Sequence, residues 1–227
     1  MSNLPRLAVL VGSARTGGNG AGIAQWVSTL LDRRLNASSR TVEVVTVSPS
    51  THPRPLGPVT DGSKLPAQIT DPSAYTSELV KEWSRFVSSC SAFAIVSPEY
   101  NGGYPGELKN SLDNLFNEWA NKPVIVVTYG GGGGQRAASA LQPVLSTLKL
   151  QAVDGPKIVL PRSYTGGPDR VLPGAVYPDF LEAYEDAVNN AADTISKKLG
   201  TSQTPPPLSF NAVHERVHDL KCSSRLM

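Results

Sequence analysis

Histidine and cysteine are scarce in this chain, with three of the first and two of the second among 227 residues. Cys90 and Cys222 lie far apart and lack the spacing of metal ligands. They read as two reduced thiols of a cytoplasmic protein, not as a disulfide framework or a metal site. Charge is also in short supply. Charged residues make up 18% of the chain and the formal net charge is +2, too small a balance to attract nucleic acid or an anionic membrane surface. It is also unlike the acidic balance of small electron-shuttle proteins. No stretch approaches the ~20 apolar residues of a membrane span. The apolar run Leu7 to Val11 is too short for a signal-peptide core and leads straight into Gly12-Ser13, so it reads as a first strand. No Ser-His-Asp or Cys-His set stands out for nucleophilic catalysis.

What is present is a repeating order of strand, turn and helix. Hydrophobic residues, 40% of the chain, suffice for one core. Leu7 to Val11 is the first strand, and Gly22 to Leu35 has helical spacing at Ile23, Trp26, Val27, Leu30 and Leu31. Val42 to Val47 is the second strand and Tyr75 to Ser89 the second helix. Ala92 to Ser97 and Val124 to Thr128 are the third and fourth strands, with a helix at Glu107 to Trp119 between them. Arg136 to Leu148 is a fourth helix, in which Pro143 predicts a kink or a late start. Ile158 to Leu160 is a short fifth strand, and Asp179 to Leu199 a long final helix with Phe180, Leu181, Tyr184, Val188, Ala191 and Ile195 on one stripe. Alternating strands and helices predict an α/β fold with a parallel sheet covered on both faces. Five strands suit a flavodoxin-like three-layer sandwich of order 2-1-3-4-5. Two segments stand outside the pattern. Ser48 to Pro72 is Pro/Gly/Ser-rich without periodicity, and loops of that length usually serve a function. The domain is expected to span residues 1–200, followed by a Pro-rich tail at 201–227 that contains Thr204-Pro205-Pro206-Pro207.

Three loops follow strands, where open α/β sheets bind ligands. Gly12-Ser13-Ala14-Arg15-Thr16-Gly17-Gly18-Asn19-Gly20-Ala21-Gly22 precedes the first helix. Its amides, the Ser13 hydroxyl and the helix N-terminus would cradle a phosphate, with Arg15 as a positive fork. The loop matches neither the Walker pattern nor Gly-x-Gly-x-x-Gly. After the third strand comes Ser97-Pro98-Glu99-Tyr100-Asn101-Gly102-Gly103-Tyr104-Pro105-Gly106-Glu107-Leu108-Lys109-Asn110, with two tyrosines, an amide and close-approach glycines suited to a flat aromatic ring. After the fourth comes Thr128-Tyr129 and five glycines, Gly130 to Gly134, which permit positive φ and close approach of a planar ligand. One phosphate loop and two ring loops at one sheet edge describe a mononucleotide with a large planar ring, and flavin mononucleotide (FMN) is the natural candidate.

These motifs resemble the NADPH-dependent FMN reductase and quinone reductase family, which includes azoreductase- and chromate-reductase-type proteins. The resemblance rests on Gly12 to Arg15, on Pro98 to Asn110, and on Lys122-Pro123 followed by Thr128-Tyr129-Gly130 and its glycines. It implies a flavodoxin-like enzyme with no catalytic acid or nucleophile of its own. Hydride would come from NADPH or NADH, and two electrons would pass to a quinone-like or other small aromatic acceptor. It places Ser13, Arg15, Gly20, Ala21 and Ile23 around the FMN phosphate. Pro98, Glu99, Tyr100, Asn101 and Gly102 would flank the ring, with Thr128 and Gly131 at its other edge. Tyr100 and Tyr104 would frame the substrate pocket. It also implies a homodimer or homotetramer. The chain departs from the family at Ser48 to Pro72 and after Gly200, where either segment could form a substrate lid.

Two other readings stand beside this one: a non-catalytic FMN electron carrier, and a specialised biosynthetic flavin reductase with a private substrate. His214-Glu215-Arg216-Val217-His218 matches the metalloprotease pattern His-Glu-x-x-His. It lacks a third ligand and lies in a polar tail, with His52 the only other histidine, so it reads as a chance match and no metal is expected. Lys109 and Asp113 read as a surface pair. Trp26, Trp83 and Trp119 read as core or interface packing, and Leu112, Leu115, Phe116 and Trp119 suit an interface or a core equally. Glu99 either orders its loop or faces the ligand.

Overall fold

A computed structural model describes residues 4–51, 54 and 56–201. His52, the tail from residue 202 with its His-Glu-x-x-His match, and Cys222 lie outside the described residues. The sheet comprises β1 (Arg6–Val11), β2 (Glu43–Val47), β3 (Ala92–Pro98), β4 (Pro123–Gly130) and β5 (Gln151–Val159). All neighbours are parallel and the order is β2-β1-β3-β4-β5. The helices are α1 (Gly20–Leu35), α2 (Glu78–Ser89), α3 (Gly106–Asp113), α4 (Gln135–Thr147), the short α5 (Arg162–Thr165) and α6 (Glu185–Thr201). Both expectations, the flavodoxin-like layering and the strand order, hold.

The period-two alternation of the strands builds two cores. Leu7, Val9, Val11, Ile125 and Val127 join Ile23, Trp26, Val27, Val188 and Ile195 on the face covered by α1 and α6. Ala8, Leu10, Phe93, Ile95, Val124 and Val126 join Val80, Trp83, Leu108, Leu112, Leu141 and Leu145 on the other face. Each fully buried large side chain contributes about 1.5–3 kcal/mol. Trp119 meets both Phe93 and Trp83 edge-on, at centroid distances of 5.0 and 6.0 Å. All three tryptophans are core residues. Leu112 and Leu115 are buried with them and Phe116 packs against this core, so the C-terminal part of the third-helix region serves the core. Among the described residues no helix is long and apolar enough to cross a membrane.

Several boundaries differ from expectation. Helix α3 stops at Asp113, and Trp119 instead sits in a 3-10 turn, Asn117–Trp119. The indoles of Trp83 and Trp119 donate to the carbonyls of Ser111 and Leu112, and the Asn114 amide donates to Asn110. These bonds add side-chain donors to carbonyls of the last turn, two of which, Asn110 and Leu112, also accept backbone amides of Asn114 and Leu115. Strand β5 is nine residues long, not three. Gly155-Pro156 concealed it: the ladder shifts register there, and a Cβ on Gly155 would stand 2.7 Å from the Val126 carbonyl oxygen. Such a bulge on an edge strand admits Pro. Helix α4 runs through Pro143 from Gln135 without a late start. Pro143 and Ser139 are both exposed, so the carbonyl left without its amide faces solvent. The final helix is a 3-10 turn, Asp179–Tyr184, continued by α6.

The segment between β2 and α2 holds two 3-10 turns, Pro66–Gln68 and Pro72–Ala74. It packs onto the protein. Leu56 and Ile69 are buried in the second core. The Asn110 amide donates to Gly57, and the Asn117 amide to Ala67 and Ile69.

Candidate functional site

Above the C-terminal ends of β1, β3, β4 and β5 lies a cleft of about 490 Å³. The β1 and β3 loops are joined at its floor. Gly12 donates to the Val96 carbonyl at 2.8 Å, and a Cβ on Gly12 would stand 3.0 Å from Ser97 Cα. A side chain there would press on the β3 backbone. Just beyond, the hydroxyls of Ser13 and Tyr100 share a hydrogen bond of 2.6 Å. The Arg15 amide donates to Ser13 Oγ, and its guanidinium lies 4.1 Å over the Tyr100 ring. This contact holds the guanidinium beside the mouth of α1.

No side chain caps the N-terminus of α1. Its first amides are therefore open to an anion, at the positive end of the helix. Asn19, placed to cap, is used otherwise. Its amide nitrogen donates to the Tyr164 carbonyl and its oxygen accepts from the Val171 amide, both at 2.9 Å. These bonds pin the segment after β5 against the phosphate-type loop. Gly22 makes room for it: a Cβ there would fall 2.1 Å from the Val171 carbonyl oxygen. Gln25 accepts from the Gly174 amide and completes the strap.

The opposite side is made of turns. Tyr100 and Gly103 exchange both backbone hydrogen bonds, at 2.8 and 2.9 Å. Asn101 and Gly102 between them have φ of 50° and 82°, which is the demand of a type I′ turn and the reason for Asn-Gly here. Glu99 both lines the cleft and orders it. Its carboxylate accepts from the Arg136 amide and side chain, at 3.1 and 2.8 Å, at the start of α4. The five-glycine loop is folded rather than a linker: Thr128 Oγ1 donates to Gly133, and Gly133 and Gly134 both have φ of 73°. Tyr129 is buried, with its hydroxyl 2.7 Å from where a Gly20 Cβ would stand. Burial, reinforced by nearby Tyr100, holds the Tyr129 phenol well above its usual range.

Of the residues read from the sequence, Ser13, Arg15, Gly20, Pro98, Glu99, Tyr100 and Gly131 line the cleft. Ala21 is exposed on the first turn of α1, and Ile23 is fully buried in the core beneath it. Asn101 and Gly102 form the turn tip, and Thr128 lies buried behind the glycine loop. Tyr104 does not line this cleft; it packs against the second core, and burial raises its phenol. Sequence reasoning missed the fourth wall, made by Leu160, Tyr164, Thr165 and Arg170. Arg162 to Thr165, just after the strand read at Ile158 to Leu160, was the available signal. Lys109 and Asp113 form an exposed i,i+4 ion pair.

Residues 5–165 match the model of the NADPH-dependent FMN reductase family. The chain belongs to this family. It is 36% identical over 175 residues to an NAD(P)H-dependent FMN reductase of Schizosaccharomyces pombe, covering 77% of this chain and 80% of that protein. It is 32% identical over 158 residues to the NAD(P)H-dependent FMN reductase ntnL of a Nectria species, covering 70% and 76%. Among solved structures, an oxidoreductase from Corynebacterium diphtheriae superposes with a TM-score of 0.60 at 18% identity, over 88% of this chain and all of that one. That likeness shows a shared fold. Membership of the FMN reductase family makes the protein an oxidoreductase of a family that works with a flavin and a nicotinamide donor.

Proposed function

We propose that the cleft binds FMN and that the protein passes two electrons from NAD(P)H to a quinone-like or other small aromatic acceptor. The observation that carries this reading is the uncapped N-terminus of α1, left open because Asn19 is committed to the strap. An open helix end flanked by Ser13 and two cations, Arg15 and Arg170, fits a phosphate monoester. The glycine-lined edge facing it fits a flat ring. In this reading Ser13, Arg15, Gly20 and Ala21 hold the phosphate, and Ile23 sets the helix beneath it. Pro98, Glu99, Tyr100, Asn101 and Gly102 shape one side of the ring pocket, Gly131 the other, and Thr128 keeps the glycine loop folded. When bound, FMN supplies the two-electron chemistry, so the protein needs only to bind, orient and exclude water. Tyr100 is already fixed by Ser13 and Arg15, which limits reorganisation on binding. The protein is proposed to be a cytoplasmic homodimer or homotetramer.

The test is an absorption spectrum after adding FMN and then NADPH without oxygen. Flavin that co-elutes and bleaches directly to the two-electron reduced form supports the reading. Bound flavin that neither NADPH nor NADH bleaches, with a stable one-electron form on chemical reduction, identifies an electron carrier instead. No flavin binding overturns the site.

A further inference from the structure

Arg54 is only 3% exposed, and among the described residues neither terminal nitrogen of its guanidinium has a hydrogen-bond partner. Burial lowers its pKa to about 10, with Glu107 acting against the fall, so it stays charged at neutral pH. The Trp83 ring lies 5.6 Å from it, which serves one face of the guanidinium plane but none of its edge N–H groups. A buried charge without hydrogen bonds is costly and calls for a partner.

The space beside Arg54 suggests what that partner is. A pocket of about 280 Å³ lies between the segment after β2 and the start of α3, lined by Arg54, Pro49, Gly106, Glu107, Asn110 and others. The neighbouring polar side chains are already engaged: the Asn110 amide donates to Gly57 and the Ser111 hydroxyl to Glu107. Donors lining this pocket include the Arg54 terminal nitrogens and the first amides of α3, Gly106 and Glu107, which have no intrahelical acceptor. Their common complement is an oxyanion. The pocket also abuts the proposed cofactor site, because Glu107 Oε1 accepts from the Ala14 amide of the β1 loop at 2.9 Å. Glu107 offsets the Arg54 charge when nothing is bound. It also weakens any isolated anion there, so the rest of the ligand must contribute.

We propose that Arg54 and the first turn of α3 form a subsite for an oxyanion group, phosphate or carboxylate, carried by one of the reductase's two substrates. This rests on the oxidoreductase reading above. The group is either the 2′-phosphate that distinguishes NADPH from NADH or the carboxylate of an acidic acceptor.

The experiment compares the FMN-loaded protein with Arg54→Gln and Arg54→Lys. One arm measures the KM of NADPH relative to NADH with a neutral quinone. The other measures the KM of methyl red, which bears a carboxylate, relative to 4-dimethylaminoazobenzene, which does not. Arg54→Gln is expected to raise one of these ratios by roughly 10–100-fold, the range of a charge-assisted hydrogen bond, and Arg54→Lys to recover most of it. The ratio that moves identifies the source of the anion. Both ratios unmoved in folded, flavin-bound Arg54→Gln overturns the proposal. A separate readout uses no flavin. Phosphate, against chloride at equal ionic strength, should raise the melting temperature of the apoprotein more than that of Arg54→Gln. This distinguishes failure of the subsite from failure of the flavin reading. Should Arg54→Gln not fold, Glu107→Gln, which removes the carboxylate facing Arg54, is compared instead: phosphate should raise its melting temperature more than that of the unaltered protein, and equal shifts overturn the proposal.

Discussion

Two irregular stretches flank the sheet edge where the cleft opens: the segment from Ser48 to Pro72, and the strap running from Pro161 to Pro178. Both are held by side-chain amides projecting from neighbouring elements. Asn110 and Asn117 reach the backbone of the first, and Asn19 and Gln25 the backbone of the second. They differ in what they are held against. The strap lies so close to α1 that Gly22 must lack a side chain, and Tyr164, Thr165 and Arg170 wall the cleft. The earlier segment lies against α3, stays off the cleft, and buries Arg54. A loop fastened by backbone contact is a fixed wall. The earlier segment, held by two asparagine amides and by Leu56 and Ile69 in the second core, contributes no residue to the lining of the cleft.

The sharpest way to break this contrast is Gly22→Ala. The added Cβ overlaps the Val171 carbonyl, and overpacking of this kind costs about 1–3 kcal/mol. Urea unfolding should show that loss, and FMN titration should show weaker binding as the wall moves outward. Next comes Asn19→Ala, which removes two bonds at the strap. It should cost about 1–3 kcal/mol, with faster proteolysis between Gly166 and Gly174 and a lower flavin affinity. Unchanged flavin affinity would mean that the strap is not part of the site. Asn117→Ala is the matched control for the other segment. It should cost about 1 kcal/mol and expose the region around Ala67 to protease while the FMN dissociation constant stays constant. The smallest effect is acid sensitivity. Hydrogen bonds from Ser63 and Thr76 hold the Asp61 carboxyl below its usual range, and those from Ser73 do the same for Asp71. A carboxyl depressed in the folded state contributes above its unfolded pKa and is lost as pH falls through the folded value. The earlier segment should therefore loosen below a pH of about 3.9, before the strap, whose anchoring amides do not titrate. Hydrogen exchange followed by segment across that range checks the order.

The sheet and the three glycine-bearing loops were legible because their signals are local. The β1, β3 and β4 strands are unbroken apolar runs, and each runs straight into a loop that glycine or Asn-Gly marks as special. The fourth wall was not legible because the tethers that hold it over the cleft run to Asn19 and Gln25, more than 140 residues away; Gly155-Pro156 hid only the first part of β5. The end of α3 was not legible either, since two indoles from distant positions finish it. Asn19 read as part of a glycine-rich loop; its role as a tether depends on Val171 and Tyr164, far along the chain. Arg54, in a proline-rich stretch, carried no sign of burial. In each case the missing information was a contact distant in sequence.

The Glu99–Arg136 pair has a kinetic consequence. Because Glu99 is neutralised within the protein, the potential at the cleft mouth is governed by Arg15 and Arg170. A phosphate dianion approaching from solvent is therefore drawn toward the helix end rather than repelled by the carboxylate beside the ring. Added salt would slow its arrival more than it would hasten its escape.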